Sequence, residues 1–520
     1  MLIILISIFA LGTADITSDT VRRLKYYPRT AACDNFYRHA CPLNSTKLTK
    51  IYEKKARTLA DDIINLPFLQ YEIMTDFSDL SMIYDLEQNE DSEILYADSD
   101  FTLDGFLDLY YNECVDGKDT TKLMEYFEKL LTIPYGYQEE CGSGSFCASH
   151  FAKDSYCKRG RGQLEKNLKA MMESQEIVDW NIKISETQKT LQLNFLKVIG
   201  AHIVERNANV KNGIKVVQKM FDDIKGIYKD WVKKTKWVQN NNAVPIVTSI
   251  LDKLVLLDDF TATKDAFSSS LKNAEFHYIK CKEEIGLDDW HAQALCLICA
   301  NEKEGIYRYG TSNAVVGFTN AWNGHPAINV AIPLFLAADD IKSEAGRIGY
   351  LGATIAHEIG HSLVEDYKEY NYLPFFSKVA TNCIQETFRN TCKMFKEKSC
   401  TVEPPQLAEN GPDILSSQIS YAYFRRVLGK NYNKLYRPLN ITNEQLFFYS
   451  LSIFECSGEP ASQVYGDDDV IDNHSADNIR VNVYVQLPEF TKAFRCKENS
   501  RMVKISKKPC YIYGDKAPKI

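Results

Sequence analysis

Apolar residues recur at helical spacing along much of this chain. From 163 to 235 they predict long helices, and residues 48–130 read mostly as helices broken by an acidic segment, Asp85–Asp100, which is a solvated loop on its charge. Ala327–Leu336 (AINVAIPLFL) is one apolar run and predicts a largely buried strand, with Ala337–Asp340 as a turn. Beyond it, Ile348, Leu351, Ile355, Ile359 and Leu363 return to helical spacing, which predicts a helix with one buried face. Gly349, Gly352 and Gly360 fall inside that helix, where each costs about 1 kcal/mol relative to Ala; the pattern implies that another backbone or a ligand comes close. At the start, Leu2–Leu11 is apolar but shorter than the ~20 residues of a span, and Gly12, Thr13 and Ala14 are small. This predicts a signal peptide over 1–14 and a secreted chain from Asp15, the alternative being a buried N-terminal strand. No second stretch reaches spanning length, so no stable membrane span is expected.

Composition narrows the class. A chain of 520 residues, 45% hydrophobic and 25% charged, has the make-up of a folded protein of two to four domains. Its net charge of −8 argues against nucleic-acid binding, so the mixed lysines and aromatics of Lys225–Trp237 read as a solvated helix face. Fifteen cysteines point to an oxidising compartment, and the odd number leaves one free, paired with another chain or lost on processing. Cys141 and Cys147 flank a Gly/Ser loop and predict a local disulfide. Cys296 and Cys299 form a lone CxxC after His291, which suits a disulfide partner or buried thiol better than zinc. Sequons begin at Asn44, Asn440 and Asn473.

The densest chemistry is His357-Glu358-Ile359-Gly360-His361. At i and i+4 on a helix both imidazoles point the same way and can take two corners of a tetrahedral zinc, with Glu358 beside the place of an attacking water. The alternative is two satisfied structural histidines. A third ligand is needed, and Glu409 is the candidate; Asp413 would share its helix face and could orient a ligand imidazole. Gly411-Pro412 counts against a regular helix here, because proline is tolerated in the first turn, and predicts that Glu409 sits where the helix begins instead of inside it.

These residues, with His474-Ser475 and Arg480, resemble the neprilysin and endothelin-converting enzyme family of zinc metallopeptidases. Asn320-Ala321 is similar to that family's substrate-binding edge strand. Cys33-Asp34-Asn35-Phe36-Tyr37 with Ala40-Cys41, and Glu489-Phe490 to Cys496 with Met502 and Cys510, resemble its two ends. The resemblance implies a predominantly α (α+β), two-lobed protein: a helical N-terminal lobe (15–284) roofing the cleft of a thermolysin-like zincin catalytic lobe (285–520). It implies one zinc held by His357, His361 and Glu409, with Glu358 as general base, Asp413 behind the ligands and His474 as oxyanion donor. Asn320, Ala321 and Arg480 would hold the substrate backbone, and Cys33–Cys496 and Cys41–Cys456 would be crosslinked. The implied function is secreted endopeptidase action on extracellular oligopeptides, the alternative being a family member that binds without turnover. Departures are Trp322-Asn323 after Asn-Ala, Ala408 before Glu409, Pro412, Ser362–Asp366 after the histidines, and Glu455 before Cys456.

Overall fold

The computed structural model describes residues 16–23, 30–41, 46–64, 197–240, 242–256, some positions between 269 and 283, 320–324, 326–364, 378–395, 404–456, 474–505 and 509–511. The expected signal peptide, the acidic segment 85–100, Cys141 and Cys147, His291, Cys296 and Cys299, and the asparagines of the sequons at 44 and 473 lie outside the described residues.

The chain divides into two compact units, one of residues 1–61, 202–260 and 311–520, the other of 62–201 and 261–310. Residues 202–260, placed by the sequence reading in the N-terminal lobe, are thus in the same unit as the motif helix. In chain order the helices are α1 (Ile16–Arg23), α2 (Phe36–Ala40), α3 (Thr46–Ile64), α4 (Ala208–Lys234) and α5 (Val244–Lys253). Strands β1 (Val255–Leu256), β2 (Ala321–Gly324) and β3 (Ala327–Val330) follow, then α6 (Ile332–Asp340), α7 (Glu344–Arg347), a π-turn over Ile348–Gly352 and α8 (Ala353–His361). After these come α9 (Lys378–Phe395), α10 (Pro404–Leu428), the β4–β5 hairpin (Leu435–Tyr436 and Ile441–Thr442), α11 (Asn443–Leu451), α12 (Asp477–Val483), α13 (Pro488–Ala493) and α14 (Arg501–Ile505).

Helix α4 is amphipathic as its spacing predicts: Met220, Phe221, Ile224, Tyr228, Trp231 and Val232 are buried, while Lys233 and Lys234 are exposed. Its buried face packs on α6, where Gly213 comes so close that a Cβ would lie 1.9 Å from the Phe335 carbonyl oxygen. The three-stranded sheet has the order β1-β3-β2, with β1 parallel and β2 antiparallel to the central β3, and Ala321 opposite Val330.

Two expectations need correction. The apolar run 327–336 is strand only to Val330; Ile332–Asp340 is a helix begun by Pro333 in its first turn, where a missing N–H is harmless and the fixed φ suits the helix. Every residue from Ile332 to Ala338 is buried, and a helix buried all round has no polar face to give periodicity. Pro412, in turn, lies inside α10 and Glu409 well past its first turn. Opposite Pro412, α8 carries Gly360, where a Cβ would stand 3.3 Å from the Pro412 Cα. The extensive packing of α10 on α8 offsets the hydrogen bond that the proline removes.

Disulfides Cys33–Cys496 and Cys41–Cys456 tie the early segment to the end of this unit, as the resemblance implies, and a third joins Cys383 to Cys510. Between the first two, Phe36 is fully buried against Phe490, Phe494 and Tyr449, with ring centroids 4.7, 5.1 and 5.8 Å away. Asn482 accepts from the Tyr37 amide at 3.1 Å and adds a polar tie. Among the described residues no helix is long and apolar enough to cross a membrane.

Candidate active site

The motif sits at the C-terminal end of the run π-turn–α8. Gly349 in the π-turn lets α11 approach until a Cβ would be 2.4 Å from the Phe447 carbonyl oxygen, which fixes the helix from one side. On another side the Tyr228 hydroxyl of α4 donates to the Ala356 carbonyl at 2.7 Å. At the C-terminal end, the amides of Ser362, Leu363 and Val364 return to the carbonyls of Ile359, Gly360 and His361. The Glu358 carbonyl, which the end of a helix would otherwise leave over, accepts from Asn323 Nδ2 of β2 at 2.6 Å, and the same nitrogen donates to Ser362 Oγ at 2.7 Å. Two departures from the family pattern, Asn323 and Ser362, thus meet each other and lock β2 to the motif helix.

Both imidazoles face Glu409 of α10. His357 Nε2 and His361 Nε2 are 3.1 Å apart, and Glu409 Oε2 is 3.2 and 3.3 Å from them. A tetrahedral ion with ligands at about 2.0–2.1 Å has ligand–ligand edges of about 3.3–3.4 Å, so the triangle is of the size zinc requires, and two imidazoles with one carboxylate are a zinc donor set. Among the described residues this trio is the group whose donors converge closely enough for a metal ion.

Behind it, Asp413 Oδ1 is 3.0 Å from His357 Nδ1, leaving Nε2 directed to the triangle. One helical turn separates Glu409 from Asp413, so α10 supplies a donor and the group that orients another donor from one face. Electrostatics match a cation site. Burial disfavours a charged His357, yet the Asp413 and Glu409 carboxylates outweigh it and push the imidazole up to about 10. Burial likewise opposes ionisation of Glu409, but hydrogen bonds from His357, His361 and His474 hold it well below the usual carboxylate range. Glu358 is buried, which raises its carboxyl in the direction that suits a proton acceptor near neutrality.

Beside the triangle lies a cavity of about 350 Å³, lined by His357, Glu358, Asp413, His474, Arg480 and Asn320 among others. His474 Nε2 is 3.1 Å from Glu409 Oε2, and its neighbour Ser475 donates to Asn410 Oδ1 at 2.8 Å, so the 474–475 segment is pinned to α10 at two points. Arg480 Nε and Nη2 grip both oxygens of Asp413 at 2.9 and 2.8 Å. Its Nη1 reaches Glu455 at 2.8 Å. Asn320 is exposed just before β2 and Ala321 buried at its start, β2 being one of the two outer strands of the described sheet. Of the residues singled out for the site, His357, Glu358, Asp413, His474, Arg480 and Asn320 line this cavity, His361 and Glu409 complete the triangle beside it, and Ala321 is not among the lining residues. What the sequence reading missed is the Glu455–Arg480 pair and the Asn323–Ser362 contact; their residues were visible as departures, but nothing in the spacing shows that they touch.

An HExxH helix, a distant glutamate completing a zinc-sized triangle and an aspartate behind the first histidine define a zinc-binding site of the glutamate-ligand kind. Residues 326–510 match the model of peptidase family M13, and this segment, which holds all the predicted site residues except Asn320 and Ala321, is of that family. Solved structures are similar at low identity. A Mycobacterium tuberculosis zinc metalloprotease in complex with an inhibitor has 15% identity and a TM-score of 0.38 over 58% of this chain and 47% of that one. The open state of the same protease gives 15% and 0.38 over 61% and 51%, so the chain spans about half the length of these structures. A Haemonchus galactose-containing glycoprotein complex has 14% identity and a TM-score of 0.46, covering 93% of this chain and 96% of that one. No curated protein matches the chain.

Proposed function

We propose that this chain is a secreted zinc metalloendopeptidase that hydrolyses extracellular oligopeptides. The observation that carries the reading is the donor triangle of His357, His361 and Glu409, with edges of 3.1–3.3 Å, set beside the buried Glu358. Zinc held by these three residues supplies Lewis-acid polarisation of a carbonyl and a nucleophile from water at neutral pH. Glu358 accepts the proton of the attacking water and delivers it to the leaving nitrogen, for which its raised proton affinity is suited. Asp413 fixes the tautomer and direction of His357.

His474, partly exposed beside the triangle, donates to the oxyanion as it forms. Arg480 spends three N–H groups on Asp413 and Glu455 and, lining the cavity, holds the substrate backbone with the rest of its guanidinium. The edge strand starting at Asn320-Ala321 takes the extended peptide alongside it. Disulfides that close over long stretches of sequence support the oxidising compartment. A binding protein without turnover would follow if Gly411-Pro412 displaced Glu409; Glu409 instead lies within 3.3 Å of both imidazoles, which favours the enzyme.

The test is hydrolysis of a quenched fluorescent peptide library by the purified protein and by Glu358→Gln prepared in parallel. Cleavage by the first and not the second supports the reading. Equal cleavage by both, or none by a folded, zinc-loaded wild type, defeats it.

A further inference from the structure

The sequon at Asn440 lies among the described residues and has no part in peptide hydrolysis. Asn440-Ile441-Thr442 runs from the end of the turn 437–440 into β5, with a residue other than proline in the middle position. Attachment of a sugar chain asks two things of such a site: an amide nitrogen within reach in the extended chain, and room for a bulky polar product once the chain has folded.

The folded hairpin provides the room. Asn440 is exposed, as are Arg437 and Pro438 of the same turn. Its φ of +55° lies in the left-handed region, which asparagine tolerates better than most residues with a side chain. The backbone amide donates to the Tyr436 carbonyl at 3.0 Å, whereas the side-chain amide makes no hydrogen bond with the protein, so the turn does not depend on its N–H groups.

Thr442 is engaged in the fold: its hydroxyl accepts from the Gln445 amide at 3.1 Å and caps α11, while Gln445 Oε1 accepts from the Thr442 amide at 3.0 Å. The cap forms only with the helix, and the hydroxyl is open to a transferase before then. Neither the cap nor the left-handed turn uses the Asn440 carboxamide.

We infer that Asn440 carries an N-linked oligosaccharide. Asn440 Nδ2 attacks the anomeric carbon of an oligosaccharide linked to a lipid diphosphate; the N–C bond forms and the C–O bond to the diphosphate breaks. The lipid diphosphate leaves with that electron pair, and one amide proton passes to a base of the transferase. Donor and transferase belong to the secretory lumen, so the inference rests on the secreted part of the proposed function and is independent of peptide cleavage.

The experiment expresses the full chain with its own N-terminus in a eukaryotic secretory host and maps the peptides of the folded protein recovered from the medium. The peptide holding Asn440 is expected to carry a hexose and N-acetylhexosamine mass increment. Peptide N-glycosidase should remove it, leaving an aspartate labelled with heavy oxygen when the release is run in labelled water. Asn440→Asp, close in shape and tolerant of the left-handed backbone, should lose the increment, as should Thr442→Ala. Thr442→Ser, which keeps both the hydroxyl and the N-cap, should retain it.

A bare Asn440 peptide from secreted, folded wild type would overturn the inference and leave secretion standing, as would an increment found only on chains retained in the cell beside unmodified secreted ones. Recovery of the whole chain from the cytosol with Asn440 bare would sink the secreted reading together with the inference. A glycan on Asn440 of a secreted, zinc-loaded protein that cleaves no peptide would defeat the peptidase reading and uphold the inference.

Discussion

Asn323 and Ser362 form the link whose removal should be felt most specifically at the motif helix. The Asn323 amide makes two hydrogen bonds, at 2.6 Å to the Glu358 carbonyl and at 2.7 Å to Ser362 Oγ, and Ser362 is fully buried. With about 1 kcal/mol net for each, Asn323→Ala should cost about 2 kcal/mol, and Ser362→Ala, which loses only the shared bond, about 1 kcal/mol. The double variant should cost about 2 rather than 3 kcal/mol, a coupling of about 1 kcal/mol. Equilibrium urea unfolding of the four proteins measures these differences, and peptide hydrolysis should show the loss in kcat more than in KM, because the peptide unit that follows Glu358 is what becomes free. Additive costs, or an Asn323→Ala variant within about 0.5 kcal/mol of wild type, would refute the claim that this pair fixes β2 to the helix.

Asp413→Asn keeps the shape but presents a weaker partner to His357 Nδ1 and Arg480, and should lower zinc affinity by about 10- to 100-fold, measured by competition with a chromophoric chelator; unchanged affinity would contradict the orienting role. Glu455 is pushed up to about 7 by burial, with Asp413 and Asp477 adding to the rise and Arg480 and His357 opposing it. A carboxyl raised on folding gives stability that is full below its unfolded value and declines as pH rises from there to about 7. Wild type should therefore lose about 3 kcal/mol between pH 4.5 and 8 from this group, and a flatter urea-midpoint profile in Glu455→Gln checks it. Gly213→Ala would place a Cβ 1.9 Å from the Phe335 carbonyl oxygen, and the shift this forces between α4 and α6 should cost about 1–3 kcal/mol despite the better helix propensity; a stabilised variant would show that the helices separate freely. Reducing or replacing Cys33–Cys496 should cost about 2–5 kcal/mol, read as a lowered urea midpoint.

Much of the site was legible because metal chemistry constrains spacing. Two histidines one turn apart and two carboxylates one turn apart declare shared faces, and the structure brings those faces together at 3.0–3.3 Å. The helix 332–340 was not legible as one: Pro333 is as good a helix starter as a strand ender, and complete burial erases the alternation that separates the two. Pro412 misled for a related reason. The rule against proline inside a helix concerns an isolated helix, whereas α10 packs against α8, whose Gly360 stands opposite Pro412 but 52 positions away in sequence, a partner only the fold reveals. Glu455 and Asn323 could be seen to break a pattern; that one meets Arg480 and the other Ser362 depends on contacts across separate elements.

The most direct test of the account is to strip the protein of metal, return zinc in steps, and follow bound zinc by mass spectrometry together with hydrolysis of a peptide substrate. The account predicts activity that rises in proportion to zinc and saturates at one ion per chain in the wild type, with Glu358→Gln binding the same single ion and remaining inactive. Hydrolysis by the zinc-free protein, or a fully loaded and folded wild type that cleaves nothing, would contradict it.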